Sequence, residues 1–112
     1  MTLDMKLYDG PFEQIKNGTR KIELRLYDEK RANLKLGDNI VFHRVSDLQD
    51  TVTVKVTGLL RYNTFEDLFN DINVDLVAIT GSLAEKLEVV HRIYSWEREQ
   101  EYGVLGIHVE LV

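Results

Sequence analysis

The sequence predicts an α+β domain in which a small β-barrel, open or closed, is flanked by short helices. Its 112 residues, 44% hydrophobic and 29% charged, have the length and composition of one globular unit, so residues 1–112 are taken as a single domain. Strand-like segments dominate the chain, and the helical segments between them are short. Strands that are adjacent in sequence can pair antiparallel, as they do in such a barrel.

The first third of the chain predicts a strand, a helix and a turn. Residues 5–8 are typical of a short strand, and residues 11–17 predict a helix of about two turns with Pro11 in its first turn. Gly18 is a typical residue at which such a helix ends. Residues 28–34 predict a turn or a short helix.

The clearest strand pattern lies between these two segments. Apolar and charged residues alternate with period two, the apolar set being Ile22, Leu24 and Leu26 and the charged set Lys21, Glu23 and Arg25. Such alternation predicts a half-buried strand with the three charged side chains on its other face.

The remaining elements follow from similar local signals. Residues 39–45 and 51–62 predict two strands joined by a turn at 46–50, and residues 104–112 predict the last strand. Two helices are predicted to begin at capping residues, Thr64 with Asp67 and Ser82 with Glu85. The second helix is expected to continue to about Tyr94. On the last strand, one face is predicted to carry Leu105, Ile107, Val109 and Leu111.

Composition excludes several classes of protein. The absence of cysteine rules out a disulfide scaffold, a thiol nucleophile and a cysteine-ligated metal site. The three histidines fall in three different predicted elements without metal-ligand spacing, so we expect neither a metal nor a cofactor. No signal-peptide pattern and no apolar run of about 20 residues is present, so we expect a cytoplasmic protein without a membrane partner.

The net charge of −5 conceals an asymmetry along the chain. Residues 1–62 hold 11 Lys+Arg against 9 Asp+Glu, whereas residues 63–112 hold 3 against 10. Seven of the bases lie between positions 16 and 35. A local basic patch is therefore compatible with an acidic protein, although solvated surface charges would give the same sequence pattern.

The strand with charged residues is the first candidate site. Side chains two residues apart on a strand point the same way, about 6.6 Å from each other, so Lys21, Glu23 and Arg25 form a row of cation, anion and cation. In a groove the cations would hold a phosphate or a base edge, and Glu23 would accept from a base amino group. The alternatives are a lysine tuned for acid–base chemistry and an exposed ladder of charges.

An aromatic cluster before the last strand is the second candidate. Tyr94, Trp96 and Tyr102 lie within nine residues of each other, interleaved with acids such as Glu97. Aromatic rings can stack on a nucleic-acid base, and they can equally close the end of a hydrophobic core.

Four segments, in order along nearly the whole chain, resemble those of the ASCH domain family. They are a helix ending at Gly18 before a strand with Glu23-x-Arg25, the Gly-Asp turn and strand at 36–42, the helix entry at 62–68, and the tail at 94–97 and 102–107. The resemblance implies a PUA-like β-barrel with a cleft near residues 18–25, and RNA binding by analogy with PUA domains. Fold analogy alone is a weak reason to assign a function.

Some members of that family are amidohydrolases that remove the acetyl group from acetylated cytidine. The resemblance implies that they use a lysine just after the helix-ending glycine, a threonine three residues beyond it, and a later glutamate. Here the first two positions hold Arg20 and Glu23. Because arginine stays protonated and glutamate has no hydroxyl, the acetylcytidine activity is not inherited by residue matching.

The sequence therefore supports three hypotheses. The first is a binding module for RNA or a small nucleotide or nucleoside, with candidate ligand-binding residues Arg20, Lys21, Glu23, Arg25, Tyr94, Glu97 and Tyr102. The second is a hydrolase of an acylated nucleoside, with Glu23 activating water and Lys21 or Arg20 stabilising the oxyanion. The third is a domain whose acidic C-terminal half binds a basic protein. Ligand identity, catalysis and oligomeric state stay open at this point.

Overall fold

A computed structural model describes residues 1–112, with five strands and four α-helices. In chain order the elements are β1 (Thr2–Leu7), α1 (Asp9–Lys16), β2 (Ile22–Leu26), β3 (Asn39–Arg44), β4 (Asp47–Tyr62), α2 (Phe65–Asp71), a 3₁₀ helix (Val74–Val77), α3 (Leu83–His91), α4 (Trp96–Tyr102) and β5 (Val104–Leu111).

The five strands form one curled sheet in the order β1-β3-β4-β5-β2. The β3–β4, β4–β5 and β5–β2 pairs are antiparallel, whereas β1 and β3 are parallel. The predicted α+β class is confirmed, but the sheet is a half-barrel, because β1 and β2 are its two edges and do not pair with each other. We call the gap between these two edge strands the seam.

Two hydrophobic cores lie on opposite faces of the sheet. The first packs α1, through Phe12 and Ile15, against β1, β3, β4 and β5. The second joins β2 to α2, the 3₁₀ helix and α3. Strand β5 serves both, with Ile107 in the first core and Val104 in the second. A strand buried on both faces needs apolar residues at odd and even positions, as the sequence of β5 has.

Local capping signals fix the starts of two helices as predicted. The Thr64 hydroxyl oxygen accepts from the Asp67 backbone N–H at 3.0 Å and begins α2. At α3 the capping box is reciprocal, with Ser82 Oγ accepting from Glu85 N–H at 3.2 Å and Glu85 Oε1 accepting from Ser82 N–H at 3.0 Å. Hydrogen bonding of the Glu85 carboxylate to the Ser82 backbone N–H and side chain lowers the pKa of Glu85.

The prediction of one helix through Tyr94 is wrong. Helix α3 ends at His91, and a new helix, α4, begins after Ser95, whose side chain accepts from the Arg98 N–H. The hydrophobic stripe extends to Tyr94, and the Tyr94 N–H still donates to the Val90 carbonyl at 2.9 Å, but residues 92–94 form a turn that precedes the Ser95 cap. The His91 ring contacts the Tyr94 carbonyl at 2.9 Å in this turn.

The turn predicted at residues 46–50 is shorter in the structure. Only Val45 and Ser46 form the turn, and β4 begins at Asp47. None of the helices has the length and hydropathy of a membrane-spanning segment.

Candidate functional site

The charged face of β2 points into the curled sheet, so the strand is more than half-buried, and the alternative of an exposed ladder of charges is wrong for Glu23 and Arg25. Glu23 lies opposite Ile107 and Arg25 opposite Leu105 in the β2–β5 register, and both β5 residues belong to the first core. Glu23 is only 3% exposed. The other face of β2 is covered by the helices of the second core, so both faces of this edge strand are packed.

Glu23 accepts four hydrogen bonds inside the protein. Its Oε1 accepts from Arg20 Nη1 and from the Leu24 backbone N–H, both at 3.0 Å. Its Oε2 accepts from Arg25 Nε at 3.1 Å and from Arg25 Nη2 at 3.0 Å. A carboxylate has about four acceptor positions, so Glu23 has none left for a base amino group.

The two arginines are fixed by further contacts on either side of Glu23. Arg20 Nε donates to Gln14 Oε1 at 3.2 Å, which ties the site to α1. Arg25 Nη2 donates to the Lys6 carbonyl in β1 at 2.7 Å, so this one side chain links the two edge strands across the seam. Burial acts to lower the pKa of Arg25, but the Glu23 carboxylate outweighs it and raises that pKa above its usual value.

Each arginine keeps one terminal nitrogen without a protein acceptor. Arg20 uses Nε and Nη1, which leaves Nη2, and Arg25 uses Nε and Nη2, which leaves Nη1. A guanidinium carries five N–H donors in a planar fork that matches carboxylate, phosphate and base-edge acceptors. The seam therefore presents oriented, unused donors.

Tyr94 completes this arrangement from the segment after α3. Its hydroxyl donates to the Leu24 carbonyl at 3.3 Å, and one face of its ring stacks on Phe65 at a centroid distance of 5.6 Å. Burial raises the pKa of Tyr94, so its hydroxyl stays protonated. Its hydroxyl is therefore the part of Tyr94 that reaches the polar site.

These side chains line a cavity of about 120 Å³ in the seam, which we call the seam cavity. Its walls are mostly apolar, and its lining residues are Lys6, Leu7, Tyr8, Pro11, Arg20, Glu23, Leu24, Arg25, Ile79, Val89, Val90, Ile93 and Tyr94. An apolar cavity of about 150 Å³ accommodates one benzene molecule. The seam cavity is somewhat smaller, so it has room for at most one small ring.

Tyr8 stands at the rim of the seam cavity and was missed by the sequence analysis. It is 58% exposed, which is unusual for an aromatic side chain beside an apolar wall. A lone tyrosine at a strand end carries no sequence signal of this position, because the wall is built by residues far away along the chain.

A second cavity adjoins the seam cavity and shares Lys6 and Arg25 with it. This cavity, about 540 Å³, is called the basic groove, and its lining residues are Asp4, Met5, Lys6, Arg25, Lys30, Arg31, His43 and Leu48. The parallel register of β1 and β3 places Lys6 beside His43. The hydrogen bond that the His43 ring donates to the Asp4 carboxylate, at 2.8 Å, raises the pKa of His43.

The structure brings together four of the predicted site residues and leaves three elsewhere. Arg20, Glu23, Arg25 and Tyr94 line the seam cavity. Lys21 precedes β2, is exposed, and lines a separate cavity with Glu110. Glu97 is exposed on the first turn of α4, and Tyr102 lines an open cleft beside Tyr62; neither lines the seam cavity.

Trp96 also lies apart from the seam cavity. It stacks on His91 at a centroid distance of 3.5 Å and is otherwise largely exposed. No three histidine or acidic side chains converge in an arrangement that would hold a metal ion.

Comparisons with known proteins give a consistent result. The sequence profile of the ASCH domain matches residues 5–112. The crystal structure of the hypothetical protein PH0355 is similar over 100% of both chains, with 36% identity and a TM-score of 0.91. The solution structure of protein PF0455 from Pyrococcus furiosus is 34% identical, with a TM-score of 0.76 over 100% of this chain and 98% of that one.

A more distant structure shares the fold. The ASCH domain from Lactobacillus crispatus is 15% identical and has a TM-score of 0.65, covering 98% of this chain and 79% of that chain. No protein of curated function matches the chain.

Proposed function

This chain belongs to the ASCH domain family, whose fold is PUA-like, and from that premise we propose that it binds a nucleotide or a short single-stranded RNA segment in the seam. The observation that carries the proposal is the pair of unused guanidinium nitrogens, Arg20 Nη2 and Arg25 Nη1, beside a ring-sized apolar cavity.

The chemistry of these donors selects the kind of ligand. Both arginines offer N–H groups, so they suit a ligand rich in acceptors. Base carbonyl oxygens, ring nitrogens and phosphate oxygens are such acceptors, and arginine commonly binds base edges and phosphates with two N–H groups at once. The apolar walls favour a flat ring over a freely hydrated ion.

The size and position of the cavity favour an unpaired base. About 120 Å³ holds one ring, and the rest of a nucleotide would stay outside, near Tyr8 at the rim. Exposed aromatic rings stack on bases of single strands. A base within a duplex would first have to leave its stack, and the net charge of −5 opposes strong non-specific binding to a duplex.

The contacts of Glu23 favour binding over hydrolysis. A general base must have a lone pair directed at the proton it removes, and the four donors on Glu23 occupy its acceptor positions. Lys21 lies outside the seam cavity, and Arg20 cannot act as a base in place of lysine.

A charge-conserving variant tests the proposal. We expect Arg25→Lys to weaken binding about tenfold, because lysine cannot reproduce the planar fork while the net charge stays the same. Arg92→Lys is the matched control, since Arg92 is exposed, lines neither the seam cavity nor the basic groove, and pairs only with Glu88. The measurement is NMR titration of the labelled protein with the four ribonucleoside 5′-monophosphates and a mixed-sequence single-stranded RNA of about eight nucleotides at low salt.

Three results of this titration decide the matter. Binding should shift the backbone amides of β2 and of the start of α1, and the RNA affinity should fall with added salt. Equal affinities for the two arginine variants, or no shift at the seam with any probe, would contradict the proposal. If the protein releases acetate from acetylated cytidine under the same conditions, the hydrolase hypothesis replaces the binding proposal.

A further inference from the structure

We propose that the basic groove is a phosphate-binding subsite, so that the ligand of the seam is a nucleotide with a phosphate and not a bare nucleoside. This inference rests on the proposed function of the seam cavity and specifies its ligand. The groove residues Lys6, Lys30, Arg31 and His43 lie outside the row of charges that the sequence singled out.

The first argument is the local charge. Four permanent cations and one carboxylate, Asp4, line the groove. Arg25 and Arg31 are paired with Glu23 and Asp28, so the uncompensated positive charge comes from Lys6 and Lys30. The Asp4 carboxylate is already hydrogen-bonded to His43 at 2.8 Å. On a chain with a net charge of −5, this groove has the opposite sign and will concentrate anions.

The second argument is the state of the donors. The ammonium groups of Lys6 and Lys30 make no hydrogen bond or ion pair within the protein, and Arg25 Nη1 also has no protein acceptor. Arg31 donates from Nη1 to Asp28 at 2.8 Å, and its Nε is buried, which leaves Nη2 as its donor for a ligand. A phosphate offers several strong acceptor oxygens to such a set.

The third argument is continuity with the seam cavity. Lys6 and Arg25 line both cavities, so a ligand with its ring in the seam cavity places its next group beside Arg25. The groove, at about 540 Å³, has room for a phosphate with its hydration, whereas the seam cavity, at about 120 Å³, has room only for a ring. A ring beside a phosphate site is the pattern of a nucleotide, which we favour over a phosphorylated peptide for that reason.

The experiment compares ligands with and without phosphate on two double variants of equal charge. Lys6→Gln with Lys30→Gln removes two groove cations, and Lys16→Gln with Lys55→Gln removes two exposed cations that line neither cavity. The probes are the four ribonucleosides, their 5′-monophosphates and inorganic phosphate. Affinity is measured by NMR titration, and thermal denaturation checks that each variant is folded.

We expect the wild-type chain to bind the best monophosphate about tenfold more tightly than its nucleoside. Each lost cation should weaken monophosphate binding about 2- to 5-fold, as for other solvent-accessible ion pairs. Nucleoside binding should weaken less, because Lys30 lines only the basic groove, whereas Lys6 also lines the seam cavity. The Lys16 and Lys55 double variant should bind both ligands as the wild type does.

The outcomes separate this inference from the proposed function. Equal binding of nucleoside and monophosphate, or equal losses in the two double variants, would overturn the phosphate subsite and leave the seam proposal standing. If no nucleoside or nucleotide binds, the seam proposal fails. Inorganic phosphate should shift the amides of residues 30 and 31 in the wild type and not in the Lys6 and Lys30 double variant. If phosphate causes no shift there in the wild type, the phosphate subsite is overturned.

Discussion

At the scale of single residues, the hydrogen-bond partners of the Glu23 carboxylate explain why it can be buried and how it contributes to the site. Two arginines and one backbone N–H satisfy its oxygens, so the buried negative charge is compensated. The same contacts orient both guanidinium groups toward the seam cavity. Glu23 is thus a positioning residue, and its loss would leave two buried cations facing each other without their anion.

Glu23→Gln should lower the free energy of unfolding by about 3 kcal/mol, because breaking a buried ion pair strands the remaining charges. Urea denaturation measures this difference. Glu97→Gln is the matched control, since Glu97 is exposed and forms no ion pair, and it should change stability by less than about 0.5 kcal/mol. Similar stabilities for the two variants would show that the Glu23 network contributes little to folding.

Helix α3 illustrates what local sequence determines at the scale of elements. The Ser82–Glu85 box satisfies backbone N–H groups that the first turn of a helix cannot bond internally. The Glu85 carboxylate accepts in its ionised form, and this hydrogen bonding from Ser82 lowers the pKa of Glu85 below its ordinary value of 4.5. The stabilisation is therefore present above the unfolded-state pKa and is lost as pH falls through the folded-state pKa.

Glu85→Gln should consequently destabilise the protein near neutral pH, and the difference from wild type should shrink as the pH is lowered below about 4. Denaturation curves collected across that pH range measure the trend. Glu88 lies on the exposed side of the same helix and makes no capping contact, so Glu88→Gln is the matched control and should change stability near neutral pH by less than about 0.5 kcal/mol. A difference that grows on acidification would contradict the capping role of Glu85.

The elements that the sequence predicts well are those set by near neighbours. Alternation in residues 21–26 located β2, and capping residues located the starts of α2 and α3. The end of α3 was placed too late, because the apolar stripe and one more backbone bond, from the Tyr94 N–H to the Val90 carbonyl, extend into the turn that follows the helix. The parallel pairing of β1 with β3 depends on the arrangement of the whole sheet. The same pairing brings Lys6 beside His43.

Strand β5 has the largest effect at the scale of the whole molecule, because it is the wall between the two cores. Ile107 is fully buried, whereas Leu111, on the same face of the strand, is 48% exposed. The sequence predicted that four apolar residues share this face, and three of them are buried while Leu111 extends past the core.

Ile107→Ala should therefore lower the free energy of unfolding by about 2–5 kcal/mol through lost burial and a cavity. Leu111→Ala should lower it by less than about 1 kcal/mol, since little apolar area is removed from contact there. Chemical denaturation of both variants gives the comparison. Equal effects would mean that the end of β5 is packed as tightly as its centre.

The sequence predicted the charged residues of the site but not how the other residues are placed around them. Arg20, Glu23 and Arg25 are close in sequence, and their charge pattern singled them out before their burial was known. Tyr94 reaches Leu24 from 70 positions away, and only the packing of α3 on β2 brings it there. Tyr102 and Glu97 shared the aromatic segment with Tyr94, but a seven-residue helix, α4, carries them away from the seam.

The seam has a consequence for self-association. The open edge of a sheet offers backbone groups to any foreign strand, and such edges are a common origin of aggregation. Here the Leu24 N–H donates to the Glu23 carboxylate, and the Leu24 carbonyl accepts from the Tyr94 hydroxyl. On the other edge, the Lys6 carbonyl accepts from Arg25. The side chains that form the candidate ligand site thus also protect both edges of the half-barrel, so recognition and resistance to strand addition depend on the same few atoms.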